Sequence, residues 1–293
     1  MTPATAGDRR LRGRSCVVTG ATAGIGRAAA LGLARLGARV VVVGRDAARG
    51  QETLAALRAV PAEAELVLGD FATRAGVDRV AEEILARCPE LHVLVNNAGV
   101  FQISRSATPD GLETTFAVNH LAPFQLTARL LPRLRASAPA RIVNVASDAH
   151  HWGPLDLADL QSERERRAMR VYGRSKTANI LFTRELARRL AGSGVTVNAV
   201  HPGAVATRLG RGHGLLLDAV QRLVTLFMRS PERGADTVVH LASSPELART
   251  SGAYFADRRE RTPAPHARDE GVARRLWDAS ESLTGVRYLD ALG

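Results

Sequence analysis

Tyr172 and Lys176 stand four residues apart in the stretch VYGRSKTAN, so a helix there would set both on one face. A phenol beside an ammonium suits proton exchange with an oxygen: a free phenol ionises near pH 10, and a neighbouring cation favours the phenolate. Unit charges about 4 Å apart at an effective dielectric near 20 attract by about 4 kcal/mol, roughly three pKa units as an upper bound, which would bring tyrosine toward neutrality. Lys176 is also the only lysine in the chain, the other 39 of the 40 basic residues being arginine. A compact ammonium can approach a phenol and a ribose hydroxyl together, where the planar fork of arginine would crowd the site. Ser147 ends the apolar run RIVNVAS. Its hydroxyl would donate to a substrate oxygen on which negative charge grows, or it simply turns the chain at a strand end.

These residues need a frame that brings them together. From Ser15 the chain alternates short apolar runs with amphipathic stretches: SCVVTG, RVVVVG, AELVLGD, LHVLVNNAG, RIVNVAS and GVTVNAVHPG as strands. Helices are expected at 27–38, 46–60, 74–88, 111–136 and 171–191. Strands alternating with helices of ten or more residues imply an α/β Rossmann fold, one doubly wound parallel sheet covered on both faces. Ligands bind at the carboxyl ends of such strands. TGATAGIG, GRD, GD, NNAG and ASDAHH all fall at those ends, so five polar loops converge on one rim.

TGATAGIG places glycines at 20, 24 and 26 between a strand and a helix. In that context Gly20 permits the turn, Gly24 admits a ligand to the backbone, and Gly26 lets the helix pack close with its first amides aimed at a pyrophosphate. Arg45 ends the second strand, where it would pair with a 2′-phosphate, so NADP(H) is expected over NAD(H). Asp46 either accepts from the ribose or caps the following helix. Arg27 either adds positive potential near the phosphates or is a solvated helix residue.

Together with Asn119 in VNHLAPF, these motifs resemble the short-chain dehydrogenase/reductase family from about Arg12 to Tyr288, and YGRSKTANILFTRELARRL and VTVNAVHPGAVATRL resemble its retinol dehydrogenase-like branch. The resemblance implies hydride transfer between a nicotinamide and a carbonyl or alcohol carbon of a lipophilic small molecule, with Tyr172 exchanging the proton. Lys176 tunes it, Ser147 orients the oxygen, and Asn119, on a kinked helix, holds a water in a proton route. It implies dinucleotide contacts from Gly20, Thr22, Ala23, Gly24, Ile25, Gly26, Arg45, Asp70, Phe71, Asn97, Ala98, Gly99, Tyr172, Lys176, Pro202, Gly203 and Val205. Asn96 is expected to fix neighbouring strands through backbone bonds, and Asp70 either borders the adenine or is a turn aspartate. A homodimer or homotetramer through the helices carrying Asn119 and Tyr172 is a further implication.

The 25 residues from Ser147 to Tyr172 exceed the shorter family gap and match an insertion of the retinol dehydrogenase-like branch. The inserted stretch is expected to line the substrate mouth, with Trp152 as a wall. It also holds His150 and His151; adjacent histidines cannot make a one-face helical pair, and no metal site is expected. GLLLDAVQRLVTLFMRS at 214–230 is an apolar segment suited to a lid, within about 204–233, to a subunit contact, or to a membrane surface. Residues 1–13 read as a loose tail before one domain spanning 14–293.

Bulk composition excludes other classes. No apolar run approaches the roughly 18 residues of a membrane span. Cys16 and Cys88 lack paired spacing and fit a reducing cytoplasm, where the chain is expected to reside. The net charge of +11 raises the possibility of nucleic acid, but the arginines are scattered and only 4% of residues are aromatic, so no nucleic-acid partner is expected. The rival reading is a catalytically silent dinucleotide-binding scaffold or regulator; the presence of all four reacting residues weighs against it.

Overall fold

The computed structural model describes residues 9–203 and 230–288. Val205 and the apolar segment at 214–229 lie outside the described residues. The valine-rich runs become β1 (Ser15–Thr19), β2 (Arg39–Gly44), β3 (Ala64–Leu68), β4 (Val93–Asn96), β5 (Ala140–Val145) and β6 (Val195–His201). Two short strands follow, β7 (Tyr254–Ala256) and β8 (Arg259–Arg261), giving the order β3-β2-β1-β4-β5-β6-β7-β8. All neighbours are parallel except β7 and β8. The terminal hairpin was not legible in sequence: its turn puts Asp257 and Arg258 at φ 52° and 59°, without the glycine that usually signals such a turn.

Helices α1 (Gly24–Arg35), α2 (Ala47–Arg58) and α7 (Pro231–Ser243) cover one face, and α3 (Arg74–Arg87), α5 (Ala122–Ala136) and α6 (Ala168–Arg189) the other. The period-two pleat sorts the β2 valines between them. Val41 and Val43 join Val17, Ile84, Phe124 and Phe182, while Val40 and Val42 join Cys16, Leu33, Leu57 and Val238. That two-sided burial is why β2 reads as an unbroken apolar run rather than an alternating one. Helix α8 (Glu270–Thr284) packs Ala273 and Leu276 against Ala178 and Leu181 of α6. Within the expected tail, Leu11 is buried, and its N–H donates to Leu36 O at 3.0 Å.

The helix expected over 111–136 begins with a short turn, α4 (Thr114–Phe116), widens into a π-helical turn at Ala117–Leu121, and continues as α5. Single π turns inside α-helices often accompany functional sites. Asn119 sits in the middle of this one.

Candidate active site

The strand order reverses between β1 and β4, and the crevice opened there receives the glycine loop. Gly20 and Gly24 have φ of 64° and 54°, a backbone state that Cβ-bearing residues resist. At Gly26 a Cβ would run into Gly20 O and Asn97 Nδ2. Helix α1 starts at Gly24 rather than after the third glycine, with Ala23 as its N-cap and no side chain capping it. By contrast α2, α3, α7 and α8 are capped by Asp46, Thr73, Ser230 and Asp269. The first amides of α1 are therefore left for an anion, which fits a dinucleotide pyrophosphate. Thr22 and Ile25 complete the loop, Ile25 against the core.

Asn97 clamps this loop. Its Nδ2 donates to Thr19 O at 2.8 Å and Gly20 O at 3.3 Å, while Thr19 Oγ1 accepts from Asn97 N and Ala98 N, both at 3.0 Å. The two residues tie the end of β1 to the end of β4. Asn96 works differently from the expected backbone bracing: its Nδ2 donates to Asn144 Oδ1 at 2.8 Å and Thr127 Oγ1 at 3.0 Å. Asn144 in turn donates to Thr183 Oγ1 at 2.9 Å, so a buried side-chain chain joins β4, β5 and α6. Its inward position on β4, where backbone groups already pair with neighbouring strands, leaves only the side chain to do this.

On the far rim Arg45 and Asp70 face each other across the ends of β2 and β3, Nη1 to Oδ1 at 3.9 Å, with the Arg45 side chain 66% exposed. Asp46 is the helix cap: Oδ1 accepts from Arg49 N at 3.1 Å, and the carboxylate pairs with the Arg49 guanidinium. Asp70 Oδ1 also accepts from Ala72 N at 3.1 Å, the turn geometry of the plainer reading. The Phe71 side chain is buried in the core beside Val67 and Val77, which leaves its backbone to border a ligand. Arg27 Nε, in the first turn of α1, is buried and has no hydrogen-bond partner among the described residues.

The candidate reacting residues gather between β5 and α6. Lys176 is buried, and its Nζ donates to Val145 O at 3.1 Å and lies 5.4 Å from the centre of the Tyr172 ring. Ser147 lies beside the Tyr172 phenol, whose ionisation its hydroxyl favours, and its Oγ accepts from Ala149 N at 3.2 Å. Phe101 meets the Tyr172 ring edge-on at 5.6 Å. A Cβ on Gly99 would stand 3.2 Å from Asn119 Oδ1 and 3.7 Å from Lys176 Nζ, so the Ala98–Gly99 turn runs directly over the lysine. Asn119 is fully engaged: Oδ1 accepts from Val100 N at 2.7 Å, and Nδ2 donates to Val100 O and Ser175 Oγ, both at 3.0 Å. Its side chain thus locks the loop after β4 to α6.

Electrostatics here differ from the expectation of a phenol made acidic by its lysine. Burial pushes Tyr172 up to about 12, opposed by the hydrogen bond from Ser147. Burial also lowers Lys176 from 10.5 to about 8. The reason is geometric: the ammonium addresses a backbone carbonyl and the ring, not the phenol oxygen, so desolvation dominates both groups. The protein alone holds a neutral phenol, the form that gives a proton away.

The insertion between Ser147 and Tyr172 is organised on α6. Asp159 is buried, accepts from Glu163 N at 2.7 Å and meets Arg174 Nη1 at 3.3 Å. Burial would raise its carboxyl, but these bonds outweigh it and hold it below the ordinary range. Trp152 is 60% exposed, and Met169 and Ile103 are exposed as well. Ligand atoms of Asp148, His150 and His151 lie within 4.8 Å of one another. Both ring nitrogens of His150 are engaged within the protein, however, Nδ1 with Ser147 O at 2.8 Å and Nε2 with Ala264 N at 3.1 Å. After β6, His201 Nδ1 accepts from Asp148 N at 3.3 Å, with Pro202 buried and Gly203 at φ 85° behind it.

Comparison with known proteins matches this geometry to a family. The profile for short chain dehydrogenases matches residues 14–214. Retinol dehydrogenase 14 of Homo sapiens is 45% identical over 94% of this chain and 88% of its own length. Retinol dehydrogenase 12 of Bos taurus is 43% identical over 96% of this chain and 89% of its own. The chain belongs to the short-chain dehydrogenase/reductase family, in its retinol dehydrogenase-like branch. It is therefore an oxidoreductase acting on alcohol and carbonyl groups, in a family that binds NAD(P). A crystal structure of an uncharacterized protein from Mycobacterium paratuberculosis superposes with a TM-score of 0.77 at 32% identity, over 95% of this chain and 96% of that one. The Pseudomonas aeruginosa RhlG/NADP complex gives 0.69 at 30% identity, over 85% and 96%.

Sequence reading of this dehydrogenase missed several residues of the site. Thr19 ends β1 without any unusual neighbour, and Phe101 looks like any loop aromatic. The signal for Asn144 was available: a lone amide within an apolar strand must find a buried partner. Asp159 and Arg174 gave none, since their pairing depends on how the insertion folds back on α6.

Proposed function

We propose that this dehydrogenase transfers a hydride between NADP(H) and the carbonyl or alcohol carbon of a lipophilic small molecule. The observation that carries this reading is Ser147 beside the Tyr172 phenol, with the Lys176 ammonium 5.4 Å from the centre of the tyrosine ring, beside a glycine loop open to an anion. The dinucleotide would supply or accept the hydride. In the reducing direction Ser147 and Tyr172 would both donate to the substrate oxygen, Ser147 holding it as charge grows and Tyr172 delivering its proton. A phenol held up at about 12 keeps that proton until a stronger base forms next to it. Lys176 would bind the ribose hydroxyls and hold positive charge near the phenol as it ionises. Asn119 would act by fixing the turn that overlies Lys176.

Preference for NADP(H) is supported by Arg45, an exposed guanidinium just after β2 that would pair with a 2′-phosphate, and by the commitment of Asp46 to capping α2. A lipophilic substrate is supported by Phe101 against the tyrosine, by exposed Ile103, Trp152 and Met169, and by relatives named retinol dehydrogenases. The reading includes a lid over 204–233 with Val205 near the nicotinamide, and a homo-oligomer built on the helices carrying Asn119 and Tyr172. It also includes a cytoplasmic protein open to peripheral membrane contact. No described helix is long and apolar enough to cross a membrane. The test is a panel of aldehydes and ketones, including retinal, with NADPH and NADH in parallel, followed at the nicotinamide absorbance band. Oxidation of NADPH faster than NADH on apolar carbonyls is expected; no turnover with either would overturn the reading.

A further inference from the structure

His150 is fully buried one turn beyond Ser147, and every polar group it owns is engaged. Its N–H donates to Ser147 O at 3.1 Å. Its carbonyl accepts from His266 Nε2 at 2.8 Å and from Thr177 Oγ1 at 3.3 Å, Thr177 being the neighbour of Lys176. The ring fixes its own tautomer. Ala264 N–H can only donate, so Nε2 at 3.1 Å must accept, and the ring proton sits on Nδ1, donating to Ser147 O at 2.8 Å. Burial lowers the imidazole to about 4, which keeps this single neutral form at physiological pH.

We propose that His150 is a positioning residue that fixes the Ser147 peptide, and so the aim of its hydroxyl at Tyr172, by bridging it to the 264–266 turn and to α6. Ser147 is at the end of β5 in an extended conformation, φ −162° and ψ 154°, followed at once by the 3-10 turn Asp148–Trp152. No strand ladder constrains its carbonyl there. Two donors from one residue, the His150 N–H and Nδ1–H, hold that oxygen from both backbone and ring. The ring is braced by Ala264 N–H and by the Tyr254 ring, edge-on at 5.2 Å. The turn before α8, remote in sequence from every reacting residue, thereby contributes to the geometry of the Ser147 hydroxyl. Through its carbonyl the same residue also anchors Thr177 of α6 beside Lys176, so the imidazole ties Ser147 to the 264–266 turn while the main chain of His150 ties it to α6.

The inference rests on the role given to Ser147 above, and two substitutions separate it from simple packing. An asparagine amide can take the place of Nδ1 and keep the bond to Ser147 O while abandoning Ala264 N–H. A glutamine amide reaches the place of Nε2 and does the reverse. His150→Gln is expected to lower kcat for retinal reduction by NADPH at least tenfold with the NADPH Kd unchanged, and His150→Asn to recover it to within about threefold of wild type. Thermal stability should rank the other way, because His150→Asn strands a buried N–H. Crystal structures should show Ser147 Oγ withdrawn from Tyr172 only in His150→Gln. In a Ser147→Ala background, His150→Gln should add less than twofold to the loss. Equal kcat for the two variants with an unmoved Ser147, or activity that simply follows stability, would overturn the inference. If Ser147→Ala alone leaves kcat unchanged, the functional reading fails, while the position of Ser147 Oγ in the two crystal structures still decides the inference. Should neither variant fold, nitrogen NMR of the wild-type histidines decides it: His150 must show a proton on Nδ1 and stay neutral from pH 8 to 5, and the opposite tautomer would contradict the bridge.

Discussion

Replacing Lys176 by methionine should make the protein without dinucleotide more stable while it abolishes turnover. Lys176 is 3% exposed, and burial lowers it from 10.5 to about 8. A lysine whose folded pKa lies below its unfolded value opposes folding at low pH, since the unfolded chain binds the proton more tightly. That opposition is fully present below about pH 8 and fades as pH rises toward 10.5. The fall from 10.5 to about 8 corresponds to about 3 kcal/mol at pH 7, shrinking to about 1 kcal/mol near pH 9.5. Methionine retains the apolar stem and removes the charge. The Val145 carbonyl is not orphaned, because Asn179 Nδ2 also donates to it at 3.3 Å. Urea denaturation of wild type and Lys176→Met, without dinucleotide, should show the variant ahead by about 2–3 kcal/mol at pH 7 and by less at pH 9.5. A variant less stable than wild type at pH 7, or a gap that does not narrow with pH, would refute the reasoning. Functional sites commonly carry such a stability penalty.

Three other outcomes follow from the geometry. Arg45→Ala should weaken NADPH by about 2 kcal/mol, roughly thirtyfold in Kd, and leave NADH nearly unchanged, as read by nicotinamide fluorescence titration; equal losses for both cofactors would move the 2′-phosphate elsewhere. Gly26→Ala places a Cβ against Gly20 O and Asn97 Nδ2 and should cost about 1–3 kcal/mol in urea denaturation, with at least tenfold weaker NADPH binding. Asp159→Asn keeps the shape but loses the charge opposite Arg174; it should raise protease sensitivity across 153–167 and KM for an apolar carbonyl, with little change in NADPH affinity.

The parts legible in sequence were those in which one residue type answers one local demand. Glycines at 20, 24 and 26 announce a backbone that must turn and be approached, and the valines of β2 announce a strand buried on both sides. Tyr172 and Lys176 were readable because helix geometry alone puts them together. Parts set by tertiary contact were not. The π turn at Ala117–Leu121 leaves no local mark, and the role of Asn119 as a clamp depends on where Val100 and Ser175 arrive. Distance arithmetic suggested an acidic phenol, yet the direction in which Lys176 Nζ points and the dryness of the site decide the sign. His150 looked like half of a spurious metal pair. Its meaning comes from Ala264, 114 residues away.

The most direct measurement of the central claim is single-turnover reduction of retinal by NADPH in wild type and Tyr172→Phe, both saturated with cofactor. Loss of the phenolic proton should slow the step by at least a factor of roughly 10² to 10⁴ while NADPH Kd and thermal stability stay near wild type. A phenylalanine variant that reduces the carbonyl at the wild-type rate would contradict the account.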